Sequence, residues 1–154
     1  MNATDKLRTV VVDDEGLARE ELCFLLGQIP GIEVVAQAGD GPEALEVISK
    51  QQPDLVMLDV QMPGLTGFEV ARRLLHSGTE AHLVFVTAYD RHAIEAFEVN
   101  AVDYLLKPVE AERLATAVDR VRRRLSAERG NASAPAGVER VLQLLGDRQN
   151  RPEQ

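Results

Sequence analysis

Asp54-Leu55-Val56-Met57-Leu58-Asp59 is followed by Val60-Gln61-Met62-Pro63-Gly64, and the reading of this stretch decides the fold. The apolar run shows no polar alternation, as expected of a strand buried on both faces of a parallel sheet. Proline lacks an N–H and glycine favours turns, so the strand stops there and hands Asp59 to a loop. The pattern repeats. Leu7-Arg8-Thr9-Val10-Val11-Val12 ends in Asp13-Asp14-Glu15, Leu83-Val84-Phe85-Val86 ends in Thr87, and Tyr104-Leu105-Leu106 ends in Lys107-Pro108. Ligands of an open parallel α/β sheet bind at the carboxyl ends of its strands. The four groups are therefore expected to meet in one small acidic pocket with a hydroxyl and an ammonium beside it.

Strand-like and helix-like segments alternate with short connections along the rest of the chain, which predicts a doubly wound sheet covered on both faces. The strands are predicted over 7–12, 32–37, 54–59, 82–87 and 103–106. Five helices are predicted to follow them. The first covers about 16–28, with Ala18, Leu22, Leu25, Leu26 and Ile29 on one stripe, and stops at Pro30-Gly31. The second starts after Gly39-Asp40-Gly41, with Pro42 suited to its first turn. The third runs from Gly67 to about His76, the fourth from about Arg91 to Val99, and the fifth from about Glu110 to Ala127. Beyond Ala127 the small and polar residues Glu-Arg-Gly-Asn-Ala-Ser-Ala-Pro-Ala-Gly read as a linker. Val138, Val141, Leu142, Leu144 and Leu145 then form a short amphipathic segment, too short to be stable by itself. The expected division is a domain over 1–127 and a linker with a short helix over 128–154, cut before a missing output domain.

A chain of 154 residues that is 45% hydrophobic suffices for one domain with a substantial core and is too short for two full-sized ones. Its net charge of -8 is uneven: residues 1–125 hold 21 acids and 13 bases, residues 126–154 four of each. That field disfavours nonspecific nucleic-acid or anionic-membrane binding and favours divalent cations and basic surfaces. Cys23 is the only cysteine and reads as a core or half-buried residue of the first helix, so no internal disulfide forms. No signal-peptide or membrane-spanning run occurs, and the expectation is a cytoplasmic protein. His76, His82 and His92 lack metal-ligand spacing and are assigned no role.

Three carboxylates crowded together repel one another, so Asp13, Asp14 and Asp59 call for a cation among them. Mg²⁺ suits the pocket: small, hard and octahedral, it takes one or two protein carboxylates, keeps several waters and leaves positions for phosphate oxygens. Asp59, alone at its strand end, would be the nucleophile in an in-line attack on phosphorus. Lys107 adds a positive charge for the phosphoryl oxygens and Thr87 a hydroxyl donor. Taken singly, each residue has a plain reading: Asp13-Asp14 and Asp59 as turn formers, Thr87 as a helix cap, Lys107 as a solvated charge. Their joint order at four strand ends favours the shared site. Gly64 and Gly67 are read as turn glycines, since no glycine-rich loop precedes a helix in the manner of a phosphate-cradling motif.

Residues 1–125 resemble the receiver domain of two-component response regulators through Val10-Val11-Val12-Asp13-Asp14-Glu15, Leu58-Asp59-Val60-Gln61-Met62-Pro63-Gly64-Leu65-Thr66-Gly67, Val86-Thr87-Ala88 and Tyr104-Leu105-Leu106-Lys107-Pro108. The resemblance implies a flavodoxin-like five-stranded parallel sheet, and Asp59 accepting phosphate from a sensor histidine kinase. It further implies that Asp14, Asp59 and the backbone carbonyl of Gln61 bind Mg²⁺ directly, that Asp13 acts chiefly through a metal-bound water, and that the Lys107–Pro108 peptide is cis. Asp14-Glu15-Gly16-Leu17-Ala18-Arg19-Glu20-Glu21-Leu22 and Thr87-Ala88-Tyr89-Asp90-Arg91-His92-Ala93-Ile94-Glu95-Ala96-Phe97-Glu98 look like LytTR-type transcription regulators, whose DNA-binding output follows a linker. Gly16 stands where that subfamily often has proline, which predicts a looser start to the first helix.

Tyr104 matches the family's switch aromatic, and the implied device is a two-state equilibrium in which Thr87 is drawn to the phosphate and Tyr104 turns inward. The expected output surface joins the fourth helix, fifth strand and fifth helix. There Asp90, Glu95, Glu98 and Asp103 would oppose Arg113, Arg120, Arg122 or Arg123 of a second copy in a symmetric homodimer. DNA is reached only through the missing output domain, and no membrane is a partner. The rival reading is a small Mg²⁺-dependent aspartyl-phosphate phosphohydrolase. Such enzymes usually place an acid two residues after the nucleophile; here that position is Gln61, which cannot protonate a leaving group.

Overall fold

Five strands, β1 (Leu7–Val12), β2 (Ile32–Ala38), β3 (Leu55–Asp59), β4 (His82–Thr87) and β5 (Asp103–Leu106), pair in parallel in the order β2-β1-β3-β4-β5. The structure is a computed structural model, and it describes residues 6–88 and 99–131. The helices among the described residues are α1 (Gly16–Gly27), α2 (Gly41–Gln51), α3 (Gly67–Ser77) and α4 (Ala111–Asn131). α4 is the fifth of the predicted helices and runs four residues beyond the expected Ala127, through Gly130 and Asn131. The helix expected over about Arg91 to Val99 falls, apart from Val99, outside the described residues, as do the C-terminal segment around Val138–Leu145 and most of the predicted linker. The chain divides into two units, Met1–Val121 and Arg122–Gln154, and the site lies wholly in the first.

β1, β3 and β4 are buried on both faces, which is why their sequences read as nearly continuous apolar runs, whereas the edge strand β2 is only partly buried and carries Glu33 and Gln37 on its exposed positions. Val10, Val12, Val56, Leu58 and Phe85 join Ala44 and Ile48 of α2 and Val70, Ala71 and Leu74 of α3 in one cluster. The alternate positions Val11, Met57, Val84 and Val86 are equally buried, and the pleat turns them to the opposite face. Leu22 and Leu26 of α1 and Leu114, Ala117, Val118 and Val121 of α4 supply further buried apolar side chains. Phe68 and Phe85 meet with ring centroids 4.8 Å apart.

Local signals place the helix starts. Asp40 accepts from Glu43 N–H with Pro42 in the first turn of α2, and Thr66 and Glu69 form a reciprocal capping box at α3. α1 begins at Gly16 without a side-chain cap, and its first backbone bond runs from the Arg19 N–H to the Glu15 carbonyl at 3.0 Å. Gly64 has φ +76°, a left-handed turn as predicted. Gly67 does not: it is needed for closeness, since a methyl group there would overlap the Asp59 carbonyl oxygen and lie 2.9 Å from Val60 Cα.

Candidate functional site

The register of the sheet brings the predicted residues together. Val12 lies opposite Leu58, Asp59 opposite Val86 and Thr87 opposite Leu106. Asp13, Asp59, Thr87 and Lys107 therefore leave neighbouring strands at one edge. The order of strands reverses direction at β1, with β2 on one side and β3 on the other, which opens the crevice there. One carboxylate oxygen from each of Asp13, Asp14 and Asp59 lies within 4.8 Å of the others. Asp13 and Asp59 are buried and Asp14 is exposed. The lining is all hard oxygen, and the exposed member leaves room for water, so these residues fit a small hard divalent cation such as Mg²⁺.

The three acids are not equivalent. Asp13 Oδ1 accepts the Glu15 N–H at 2.9 Å and its Oδ2 accepts Lys107 Nζ at 2.9 Å, so both of its oxygens are engaged. Asp59 Oδ1 accepts the Gln61 N–H at 3.2 Å, while its Oδ2 stands 3.7 Å from Lys107 Nζ. Burial, then the Asp13 charge, push the Asp59 carboxyl up to about 7 against the opposing pull of Lys107 and the Gln61 N–H. Burial works against the charge of Lys107 too, but the hydrogen bond to Asp13 and the Asp59 and Asp13 charges outweigh it and hold the ammonium above the ordinary lysine range. The site thus holds one firm cation and a carboxyl poised near neutrality.

Thr87 is fully buried at the end of β4, and its carbonyl accepts the Lys107 N–H at 2.8 Å. Gln61 is exposed at the rim, tied to the site by its N–H. The Lys107–Pro108 peptide is cis. Tyr104 is half-buried and packs against the cluster of α2 and α3. A cavity of about 410 Å³ opens beside Asp13 and Lys107, with Leu17, Leu22, Leu25 and Val109 in its wall. Leu17, in the wall of this cavity, and Phe24, seven residues farther along α1, are 82% and 67% exposed, an apolar stripe that begins beside the acids.

Two features escape a reading of the sequence. Arg19 Nη1 donates to the Asp13 carbonyl at 2.6 Å; its only sequence signal is a cation beside the apolar stripe of α1. Asp103, expected to face a second copy, is buried and bound inside its own chain. Arg113 grips it in two parallel bonds of 2.8 and 2.7 Å, Arg120 adds one of 3.0 Å, and the Tyr104 N–H a fourth. Asp90, Glu95, Glu98 and His92 lie outside the described residues.

Burial pushes the Asp103 carboxyl up, but the hydrogen bond and charge of Arg113 and the Tyr104 N–H override it and hold the group below the ordinary aspartate range. Such a group adds stability above its unfolded pKa, and that stability is lost as pH falls through the folded value. Asp103→Asn is therefore expected to cost about 1–2 kcal/mol at neutral pH, discounted because both arginines can return to water. Urea unfolding of both proteins should show the gap narrow below the ordinary aspartate range; a gap independent of pH would remove the ion pair as its cause.

Residues 9–119 match the response regulator receiver domain. The sensory transduction protein LytT of Enterococcus faecalis is 44% identical over 114 residues, 74% of this chain and 47% of that protein. The positive alginate biosynthesis regulatory protein of Pseudomonas aeruginosa is 47% identical over 118 residues, 76% of this chain and 48% of that protein. Among solved structures, the response regulatory domain of protein mrkE from Klebsiella pneumoniae superposes with a TM-score of 0.72 at 31% identity, covering 78% of this chain and 98% of that one. The chain spans about half the length of the curated relatives it matches. Among the described residues, no helix is long and apolar enough to cross a membrane.

Proposed function

The chain belongs to the response regulator receiver family of two-component systems, and from that premise we propose that Asp59 accepts a phosphoryl group from a sensor histidine kinase in a Mg²⁺-dependent reaction. The observation that carries the reading is the asymmetry of the acid trio. Asp13 has both oxygens engaged, Asp14 faces solvent, and Asp59 is buried with Oδ2 held 3.7 Å from the one lysine of the pocket. Asp14, Asp59 and the Gln61 carbonyl would hold the ion with Asp13 behind them, and when bound it supplies charge neutralisation of the acids and of the transferring oxygens. Asp59 Oδ2 attacks phosphorus in line as the phosphorus–nitrogen bond to the donor's histidine breaks. The electron pair of that bond stays on the imidazole nitrogen. Lys107 turns from Asp13 toward the new phosphoryl oxygens, and the Thr87 hydroxyl donates to another.

Phosphorylation would add charge and acceptor oxygens at the sheet edge where buried Thr87 closes β4, with half-buried Tyr104 on the adjoining β5, which supports Thr87 and Tyr104 as the switch pair. The donor would approach over the apolar stripe of Leu17 and Phe24, beside the 410 Å³ cavity. Likeness to LytT supports a LytTR-type transcription regulator, with residues 1–127 as receiver and residues 128–154, whose first four continue α4, as a linker and short amphipathic segment leading to a DNA-binding output, and the cytoplasm as its place. Homodimerisation across β5 and its flanking helices stays part of the proposal with its ion pairs redrawn, since Asp103 is satisfied within one chain. A phosphohydrolase is disfavoured by the amide at Gln61.

Intact-mass measurement after incubation with acetyl phosphate and Mg²⁺ tests the reading. One phosphoryl adduct per chain is expected in the native protein, none in Asp59→Asn, and none when chelator removes the metal. An adduct that persists in Asp59→Asn would place the acceptor elsewhere, and sustained release of phosphate from small phosphomonoesters would mark an enzyme.

A further inference from the structure

Arg19 sits in the second turn of α1, half-buried, with its Nη1 on the Asp13 carbonyl at 2.6 Å. That carbonyl belongs to the peptide joining Asp13 to Asp14, so the bond fixes the plane from which the exposed Asp14 carboxylate departs. The same strand end is tied from the other side, where the Asp13 N–H donates to the Ala38 carbonyl at 3.1 Å. Room for the guanidinium comes from Gly39. A methyl group there would lie 3.3 Å from Nη1 and 4.0 Å from Cζ. The Gly39 N–H is in turn held by Glu43 Oε1 at 2.8 Å, so the slot has a fixed wall. Among the described residues, the guanidinium's one hydrogen bond is to the Asp13 carbonyl and none is to a carboxylate oxygen.

We infer that Arg19 is a positioning residue that aims the Asp14 carboxylate and thereby sets the affinity of the acid trio for Mg²⁺, an inference that rests on the proposed metal-dependent role of that trio. A charge-assisted bond to a carbonyl is short and directional, and groups that orient metal ligands from behind typically carry about 10–100-fold in affinity. Arg19→Met keeps the apolar stem and removes the donor. Arg19→Lys keeps one donor without the fork, and Gly39→Ala crowds Nη1 while leaving the arginine in place.

The test is a Mg²⁺ titration followed by the backbone amide shifts of Val60 and Gln61 in the unphosphorylated protein, paired with the acetyl phosphate rate as a function of Mg²⁺. Arg19→Met is expected to raise the half-saturating Mg²⁺ on the order of tenfold in both readouts, with the rate at saturating metal unchanged. Arg19→Lys should recover part of the affinity, and Gly39→Ala should lose a few-fold through Nη1 alone (on the order of 2–5-fold). If Arg19→Met does not fold, the other two variants carry the same test. Native binding with unchanged half-saturation in the folded variants overturns the role of Arg19 and leaves the metal site standing; absence of Mg²⁺ binding in the native protein overturns both.

Discussion

Asp59→Asn is expected to make the metal-free protein more stable at neutral pH while abolishing its phosphorylation. The sign follows from the environment of the side chain. Asp59 is buried against Asp13, and its carboxyl is pushed from 3.8 to about 7 in the folded state. A carboxyl whose folded pKa is raised binds its proton more tightly in the native than in the unfolded chain, so stability falls as pH rises from about 4 toward 7. Below that window both states are protonated and the penalty vanishes; above it the penalty is complete. Asparagine has the same shape and no charge, so it removes the penalty. Each pKa unit corresponds to about 1.4 kcal/mol, and shared titration with Asp13 and Lys107 trims the total to roughly 2–4 kcal/mol.

Thermal or urea unfolding across pH 3–8 in chelator should therefore show the native protein and Asp59→Asn converge in acid and diverge at neutrality, with the variant higher. On the proposed role of the trio, saturating Mg²⁺ should narrow the difference, because the ion would bind the native acids better than the variant and stabilise what it binds. An Asp59→Asn protein less stable than the native one at neutral pH would mean that the Lys107 ammonium outweighs burial and Asp13. The acid trio would then be already neutralised without metal. On the proposed function, stability would be given up at the position where the chemistry needs a carboxylate, as is common where function is set against packing.

The strand ends were legible because burial on both faces leaves an unmistakable apolar run, and the polar residue that closes each run has nowhere to go but the crevice. The pattern alone leads to Asp13, Asp59 and Lys107, which the structure brings into contact, and to Thr87 at the end of the strand between them. What the pattern cannot carry is pairing at long range. Asp103 opens β5, where an acid reads as solvated and free to meet another molecule. The arginines that neutralise it stand 10 and 17 residues later on α4, and become its partners only when the helix folds back over the strand. Arg19 was hidden for a similar reason, since its partner is a backbone carbonyl, invisible to any reading by side-chain type. Gly64 and Gly67 look alike in sequence, yet one provides a left-handed turn and the other a missing methyl group.

That last distinction has a large expected consequence. At Gly67 an added methyl group would overlap the Asp59 carbonyl oxygen and lie 2.9 Å from Val60 Cα and 3.0 Å from the Asp59 carbonyl carbon. All three neighbours are backbone, so none can swing away. The Gly67 N–H also donates to the Val60 carbonyl at 3.0 Å, which clamps α3 onto the loop after β3. Gly67→Ala must then lift the capped end of α3 or bend the strand end that bears Asp59. A cost of about 3 kcal/mol or more is expected, the upper end for forced overpacking. Gly64→Ala meets open space but must hold φ +76°, so about 1 kcal/mol is expected from conformation alone. At Gly41 the clash is with Leu65, whose Cβ would lie 2.6 Å from the added carbon; rotation can carry Cγ and Cδ2 away but not Cβ, so the loop bearing Leu65 must shift, at intermediate cost. Urea unfolding of the three variants should rank them 67, 41, 64 from most to least destabilised. Folded Gly67→Ala should also be phosphorylated more slowly than folded Gly64→Ala, since only the former moves the Asp59 backbone. Equal unfolding midpoints for the variants at 67 and 64 would show that α3 can retreat from the strand end freely, and that the geometry of Asp59 does not depend on the bare backbone of Gly67.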